Sequence, residues 1–170
     1  MDTIHRIAAF DVGNKNTGVV VVDTTTPLTI LHMDCITAST ANEMMENVMS
    51  AAKTIVEPLL TGHDHPFIVY ENIYTPKGGY RNFTVIGINK AIRKHFEGEG
   101  YKVKSLLASQ KLSMIPGTRN RQRKKAAQEA VTNMLEGDTL TEFQSHERCH
   151  DIADAFLMVA YLVKNPKKLK

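Results

Sequence analysis

Residues 7–23, IAAFDVGNKNTGVVVVD, contain two short apolar runs joined by a turn that is rich in Gly and Asn. The first run leads into Asp11, and the second, VVVVD, occupies 19–23. Short apolar runs bounded by turn residues are typical of β-strands. A third run, LTILHMDCI at 28–36, continues the pattern. The sequence therefore opens with a predicted antiparallel meander of three strands.

The rest of the chain alternates helices with two further strands. FIVYE at 67–71 is apolar up to its last residue, as expected for a strand covered on both faces, and YKVKSLL at 101–107 predicts a fifth strand. Helical spacing of apolar residues predicts helices over 41–60, 85–96, 126–135 and 149–163. This order predicts one α/β domain over 1–170, with a five-stranded mixed sheet of three antiparallel strands and then two parallel strands, flanked by helices. Right-handed crossovers let the fourth strand lie parallel to the first, with neighbouring carboxyl ends.

Composition excludes several classes of protein. The chain has 170 residues, of which 42% are hydrophobic and 23% charged, as in globular domains that bury a core. Its longest apolar stretches are near ten residues, half of what a bilayer span requires. Two distant cysteines and no apolar leader argue against a secreted disulfide scaffold, so we expect an intracellular protein.

Four carboxylates stand at the ends of predicted elements. Asp11 ends the first strand and Glu71 ends the fourth, while Asp151 and Asp154 share one face of the last helix. The two strand acids could be ordinary turn residues, and Asp151 could favour the positive end of the helix dipole. Asp154 lies a turn inside a helix that should be buried, where an unpaired ionised carboxylate is costly. A positive partner is therefore expected there.

A divalent metal ion is the simplest positive partner for these acids. No Lys or Arg lies between Cys149 and Tyr161, so the positive charge must come from elsewhere in the fold or from solution. Oxygen ligands favour Mg²⁺ or Mn²⁺ over Zn²⁺. Two such ions about 4 Å apart can activate a water and stabilise the leaving oxygen when a phosphodiester is hydrolysed. We therefore expect a site for two Mg²⁺ ions, in which Mn²⁺ should substitute for Mg²⁺.

Basic residues are concentrated in two runs, although the net charge is only +3. RNRQRKK at 119–125 has five basic residues in seven, and KNPKKLK at 164–170 forms a basic tail. Such runs can be ordinary solvated surface, and this interpretation stays open for the tail. For the run at 119–125, nucleic-acid phosphate is the other candidate. Four acids together with a basic run indicate a nuclease.

Four segments resemble the RuvC-type Holliday junction resolvases of the ribonuclease H-like superfamily, and most closely their poxvirus branch. The matching segments are FDVGNKNTG, VYENIYTPK, RKKAAQEAVTNML and DIADAFLMVAYL. Each motif alone is weak, since the first also resembles the phosphate loops of sugar kinases and actin-like proteins. Their order along the whole chain makes the resemblance specific. It implies a homodimer that makes paired, symmetric, magnesium-dependent nicks in four-way DNA junctions.

The resemblance also implies roles for particular residues. Asp11, Glu71, Asp151 and Asp154 match the four metal-binding acids of the family. Lys124 and Lys125 fall near a family lysine that assists at the scissile phosphate, and which of them does so stays open. The predicted DNA contacts are Lys15, Tyr74, Lys77, Arg81, Arg119, Arg121, Arg123, Lys124 and Lys125. Two alternatives stay open, that Lys15 only shapes the hairpin turn and that Tyr74 packs in its loop. For the poxvirus branch, the expected setting is the cytoplasm of the host cell and the expected task is resolution of viral genome concatemers.

Three other functions are compatible with parts of the sequence. A nuclease of the same fold could act on RNA hybrids or other branched DNA, because the acids do not distinguish these substrates. A phosphotransferase could use DVGNKNTG at 11–18 as a phosphate loop, but its fold normally needs two such domains. An inert binding module would be expected to lack at least one of the acids.

Overall fold

The computed structural model describes residues 5–25, 28–73, 79, 81–115 and 122–170. Its strands are β1 (Arg6–Asp11), β2 (Asn16–Asp23), β3 (Thr29–Thr37), β4 (Phe67–Asn72) and β5 (Lys102–Leu107). They form one sheet in the order β3-β2-β1-β4-β5. The pairs β1–β2 and β2–β3 are antiparallel, whereas β1–β4 and β4–β5 are parallel. The predicted five-stranded mixed sheet is confirmed.

Helices cover both faces of the sheet. Their bounds are α1 (Ala41–Ala51), α2 (Glu57–Leu60), α3 (Phe83–Gly98), α4 (Ala108–Leu112), α5 (Arg123–Thr132), α6 (Gly137–Ser145) and α7 (Cys149–Lys164). A π-helical turn, Ala52–Val56, joins α1 to α2, so the helix predicted over 41–60 is continuous but irregular. No helix in the described ranges is long and apolar enough to cross a membrane.

The alternation of side chains along β1 and β4 divides the core into two layers. Ile7, Ala9 and Phe67 pack with α5, α6 and α7 on one face of the sheet. Ala8 and Phe10 pack with α1 and α3 on the other face. Both central strands are buried over four consecutive residues, which explains why their sequences are apolar without alternation.

Three short elements were not predicted from the sequence. Helix α4 has only five residues, and α6 is mostly polar around one buried side chain, Phe143. The tail forms a 3₁₀ turn, Pro166–Leu169, in which Leu169 is buried against the layer of α7. At least this part of the predicted basic tail is therefore packed against the domain.

Candidate active site

The parallel pairing of β1 with β4 places two acids at one edge of the sheet. Phe10 pairs with Tyr70, so Asp11 and Glu71 follow at the same level. Helix α3 supports this edge, because the buried Asn89 amide donates a hydrogen bond to the Glu71 carbonyl oxygen at 3.1 Å. The sheet edge thus brings together two carboxylates that are 60 residues apart in the chain.

Helix α7 brings its acids to the same edge because Gly18 lets it approach β2 closely. Gly18 pairs with Asp11 across the β1–β2 ladder. A Cβ atom at position 18 would lie 2.0 Å from the carbonyl oxygen of Asp151. Only glycine therefore permits this contact between the first turn of α7 and the sheet.

A buried lysine joins three of the four acids. The Lys111 side chain comes from α4, the short helix directly after β5, and the residue is only 7% exposed. Its Nζ lies 3.4 Å from Asp11 Oδ1 and 4.0 Å from Asp154 Oδ1, and it contacts Glu71 Oε2. We call Asp11, Glu71, Asp154 and Lys111 the carboxylate–lysine cluster.

Burial and mutual repulsion set the ionisation of this cluster. Burial raises the pKa of Asp11 to about 7; the Lys111 charge opposes this shift, and the charges of Asp154 and Glu71 add to it. Burial likewise raises the pKa of Asp154, again against the effect of Lys111. For Lys111 burial acts downward, but the surrounding carboxylates outweigh it and the pKa is raised. The ammonium therefore stays charged, whereas Asp11 can exchange its proton near neutral pH.

Asp151 lies one turn before Asp154 and has different partners. Its Oδ2 accepts a hydrogen bond of 2.9 Å from Arg148 Nε and lies 3.3 Å from His150 Nε2. The Cys35 thiol donates to the same oxygen at 3.7 Å, and burial followed by the Asp151 charge raises the pKa of this thiol to about 12. Arg148 is thus the described cation that pairs with Asp151.

The residues of the cluster fit a divalent cation. When ionised, three carboxylates facing one ammonium leave two uncompensated negative charges. Glu71 Oε2 is buried, and beyond its ion contact with Lys111 it has no aligned hydrogen-bond donor among the described residues. Oxygen donors of this kind suit Mg²⁺ or Mn²⁺. In the described ranges no three acidic, His or Cys side chains are already arranged around a common metal position, and Lys111 instead lies between the acids.

An open cavity of about 470 Å³ adjoins the cluster. Glu71, Asn72 and Ile73 line it from the end of β4, and Leu107, Ala108 and Ser109 line it from the junction of β5 with α4. A substrate in this cavity has direct access to one of the acids.

The predicted DNA-contact residues lie in different surroundings. Lys15 and Arg81 are exposed in the turns after β1 and before α3. Arg123, Lys124 and Lys125 are exposed in the first turn of α5, where Lys125 Nζ lies 3.8 Å from Glu129. Four others fall outside the described residues, namely Tyr74, Lys77, Arg119 and Arg121. The DNA contacts and the role of Lys124 or Lys125 remain predictions.

Lys111 and Arg148 are the charged residues of the site that sequence reasoning missed. Lys111 stands in LLASQKLSMI, a stretch with no other charged residue. It follows a strand whose carboxyl end lies at the same edge as Glu71, and this position was the available signal. Arg148 precedes Asp151 by three residues, a helical spacing that brings opposite charges together. The positive partner expected from the sequence is present within the fold itself.

Solved Holliday junction resolvases share this fold. A Thermus thermophilus RuvC structure in complex with a Holliday junction substrate is similar at a TM-score of 0.63 and 15% identity, covering 95% of this chain and 96% of RuvC. The yeast mitochondrial Holliday junction resolvase is similar at a TM-score of 0.65 and 13% identity, covering 98% of this chain and 81% of the yeast chain. The Fowlpox virus resolvase in complex with substrate Holliday junction DNA is similar at a TM-score of 0.62 and 14% identity, covering 95% of this chain and 98% of the Fowlpox chain.

These similarities establish the fold class. The chain shares the fold of these RuvC-type resolvases, a five-stranded mixed sheet flanked by helices. No protein-family model matches the sequence, and no curated protein sequence matches it.

Proposed function

We propose that this protein is a structure-specific DNA endonuclease that resolves four-way junctions by paired, symmetric, magnesium-dependent nicks. The observation that carries the proposal is the carboxylate–lysine cluster, which lies at the carboxyl ends of β1 and β4 in a fold shared with structures that contain Holliday junction DNA. The cytoplasm of an infected host cell and the resolution of viral genome concatemers are the proposed setting and task, by resemblance to the poxvirus branch.

Asp11, Glu71 and Asp154 are the proposed ligands of Mg²⁺, with Asp151 completing the set after it separates from Arg148. Two ions per site are proposed, and Mn²⁺ should substitute for Mg²⁺. Divalent ions supply an activated water and compensation for negative charge at the phosphate. The acids would hold the ions at the sheet edge, where the cavity lined by Glu71 opens.

Lys111 is the proposed lysine at the scissile phosphate. Its ammonium is the described one that contacts the acids, whereas Lys124 and Lys125 are exposed on α5. A fixed positive charge beside the acids can offset charge that develops on the phosphate oxygens. Lys124 or Lys125, which the resemblance places near that phosphate, is the alternative, and both are exposed in the first turn of α5 where they can bind the DNA backbone.

Symmetric nicks require two matched active sites, so we propose a homodimer. A two-fold axis relates two copies of one site and thereby matches two strands of like polarity in the junction. We propose that the dimer interface includes α3, which is the second helix predicted from the sequence, and its neighbours.

Cleavage of labelled synthetic substrates tests the proposed function. A four-way junction, a duplex, a flap and an RNA–DNA hybrid are incubated with wild type, Asp154→Asn and Asp138→Asn in Mg²⁺. Asp138 is an exposed acid in α6 and serves as the matched control. We expect paired nicks at symmetric positions of the junction, lost only in Asp154→Asn while junction binding persists. Cleavage confined to the flap or the hybrid would be consistent with the proposed metal site but would refute the proposal that four-way junctions are the substrate.

A further inference from the structure

The basic tail belongs to a second charged surface, away from the carboxylate–lysine cluster. Leu169 is 5% exposed and packs into the layer of α7, which holds the 3₁₀ turn Pro166–Leu169 against the domain. Lys168 in this turn is exposed. The packing of Leu169 therefore holds Lys168 in a defined position on the domain.

The edge strand β5 supplies the other lysines of this surface. Lys102 and Lys104 each place Nζ 5.5 Å from the centre of the Phe67 ring. Lys104 Nζ also donates to the backbone oxygen of Lys170 at 3.5 Å, which connects the strand to the tail. We call Lys102, Lys104 and Lys168 the lysine patch.

The charges of the lysine patch repel one another. Burial lowers the pKa of Lys104, and the charges of Lys102 and Lys168 lower it further. An anionic partner that binds this surface would reduce the repulsion between its like charges.

The lysine patch lies on the same face of the sheet as Glu71. Lys102 pairs with Phe67, and Lys104 pairs with Val69. Because side chains two residues apart on a strand share a face, Phe67, Val69 and Glu71 lie on the same face of the sheet. At about 3.3 Å per residue, Lys104 lies about 7 Å and Lys102 about 13 Å along the strand from the level of Glu71. Duplex DNA rises by about 3.4 Å per base pair, so this span corresponds to about two to four base pairs.

We propose that the lysine patch binds the phosphate backbone of a duplex arm of the branched substrate, a few base pairs from the scissile phosphate. This inference rests on the proposed function, because it takes branched DNA as the ligand. It assigns a binding role to the tail and to the exposed edge of β5. Neither touches the carboxylate–lysine cluster, so the patch contributes to affinity and not to the chemical step.

The test compares Lys102→Gln/Lys168→Gln with Lys102→Arg/Lys168→Arg and wild type. Lys104 is retained because it is partly buried. Binding of a synthetic junction with long arms, and of linear duplex, is measured from 50 to 300 mM salt. Each phosphate contact contributes about −0.9 to the slope of log affinity against log salt. We expect the Gln variant to lose about 1.8 from the slope and to bind roughly 50-fold more weakly at 0.1 M salt, and the Arg variant to match wild type.

Cleavage separates this inference from the proposed function. At saturating enzyme, the single-turnover rate of the Gln variant should equal that of wild type. An unchanged salt slope in a folded Gln variant overturns the lysine patch, as does an Arg variant that binds as weakly as the Gln variant. If wild type binds DNA but cuts no junction, the proposed function fails, and the salt slopes on duplex still decide whether the patch binds DNA.

Discussion

Replacing Lys111 with Met should destabilise the metal-free protein strongly, because it leaves three carboxylates facing one another without their cation. The Lys111 side chain is 8% exposed and meets Asp11, Glu71 and Asp154. Removing one partner of a buried ion pair costs about 3–5 kcal/mol. In a domain of this size about 1 kcal/mol shifts Tm by about 2–4 °C. We therefore expect Tm to fall by about 6–20 °C in EDTA at pH 8.

Magnesium and low pH should each reduce this loss. A ligand present at 100 times its Kd stabilises the native state by about 2.7 kcal/mol, so Mg²⁺ should raise Tm more in Lys111→Met than in wild type. Burial raises the pKa of Asp11 to about 7, which lies above its ordinary value. Ionising Asp11 in the native state therefore costs stability as pH rises toward 7. At pH 5.5 this carboxyl is protonated, and the penalty for losing Lys111 is smaller.

Thermal unfolding followed by circular dichroism measures these effects. Wild type, Lys111→Met and Lys125→Met are melted in EDTA and in Mg²⁺, at pH 8 and pH 5.5. Lys125 is the control because its side chain is 82% exposed, and its replacement should change stability by less than about 0.5 kcal/mol. A Lys111→Met protein that melts within about 2 °C of wild type in EDTA at pH 8 refutes the reasoning.

Three further predictions follow from the site. Gly18→Ala should lower the free energy of unfolding by at least about 1–3 kcal/mol, because the added Cβ would lie 2.0 Å from the backbone of α7. Gly98→Ala, at the open end of α3, is the control and should not lower it. Urea unfolding of both variants measures the difference. Mg²⁺ binding should strengthen as pH rises to about 7 and then level, because Asp11 must release its proton; a flat profile in calorimetry contradicts this. In Cys149→Ser, the thiol of Cys35 should react with iodoacetamide at pH 8 roughly 1,000-fold more slowly than a free cysteine, because its pKa is raised to about 12. Rapid alkylation of the folded protein, followed by mass spectrometry, is the contrary result.

The strands and the long helices could be predicted because their signals are local. The apolar runs that lead into Asp11 and Glu71 identify β1 and β4 without knowledge of any partner. The preference for right-handed crossovers then places both carboxyl ends at one edge of the sheet, which the pairing of Phe10 with Tyr70 confirms. Side-chain spacing alone also places Asp151 and Asp154 on one face of α7.

Only the tertiary structure shows that Lys111 meets three of the acids. Lys111 comes from a helix of five residues, too short for a periodic pattern, and it reaches the acids because β5 pairs with β4. The Cys35 thiol of β3 reaches Asp151 because α7 packs closely against the sheet at Gly18. The sequence by itself determined the five strands, the long helices and the positions of the acids at their ends, since these depend on neighbours in the chain. The ion pairs of Lys111 depend on contacts between distant segments, and only the packed fold decides those.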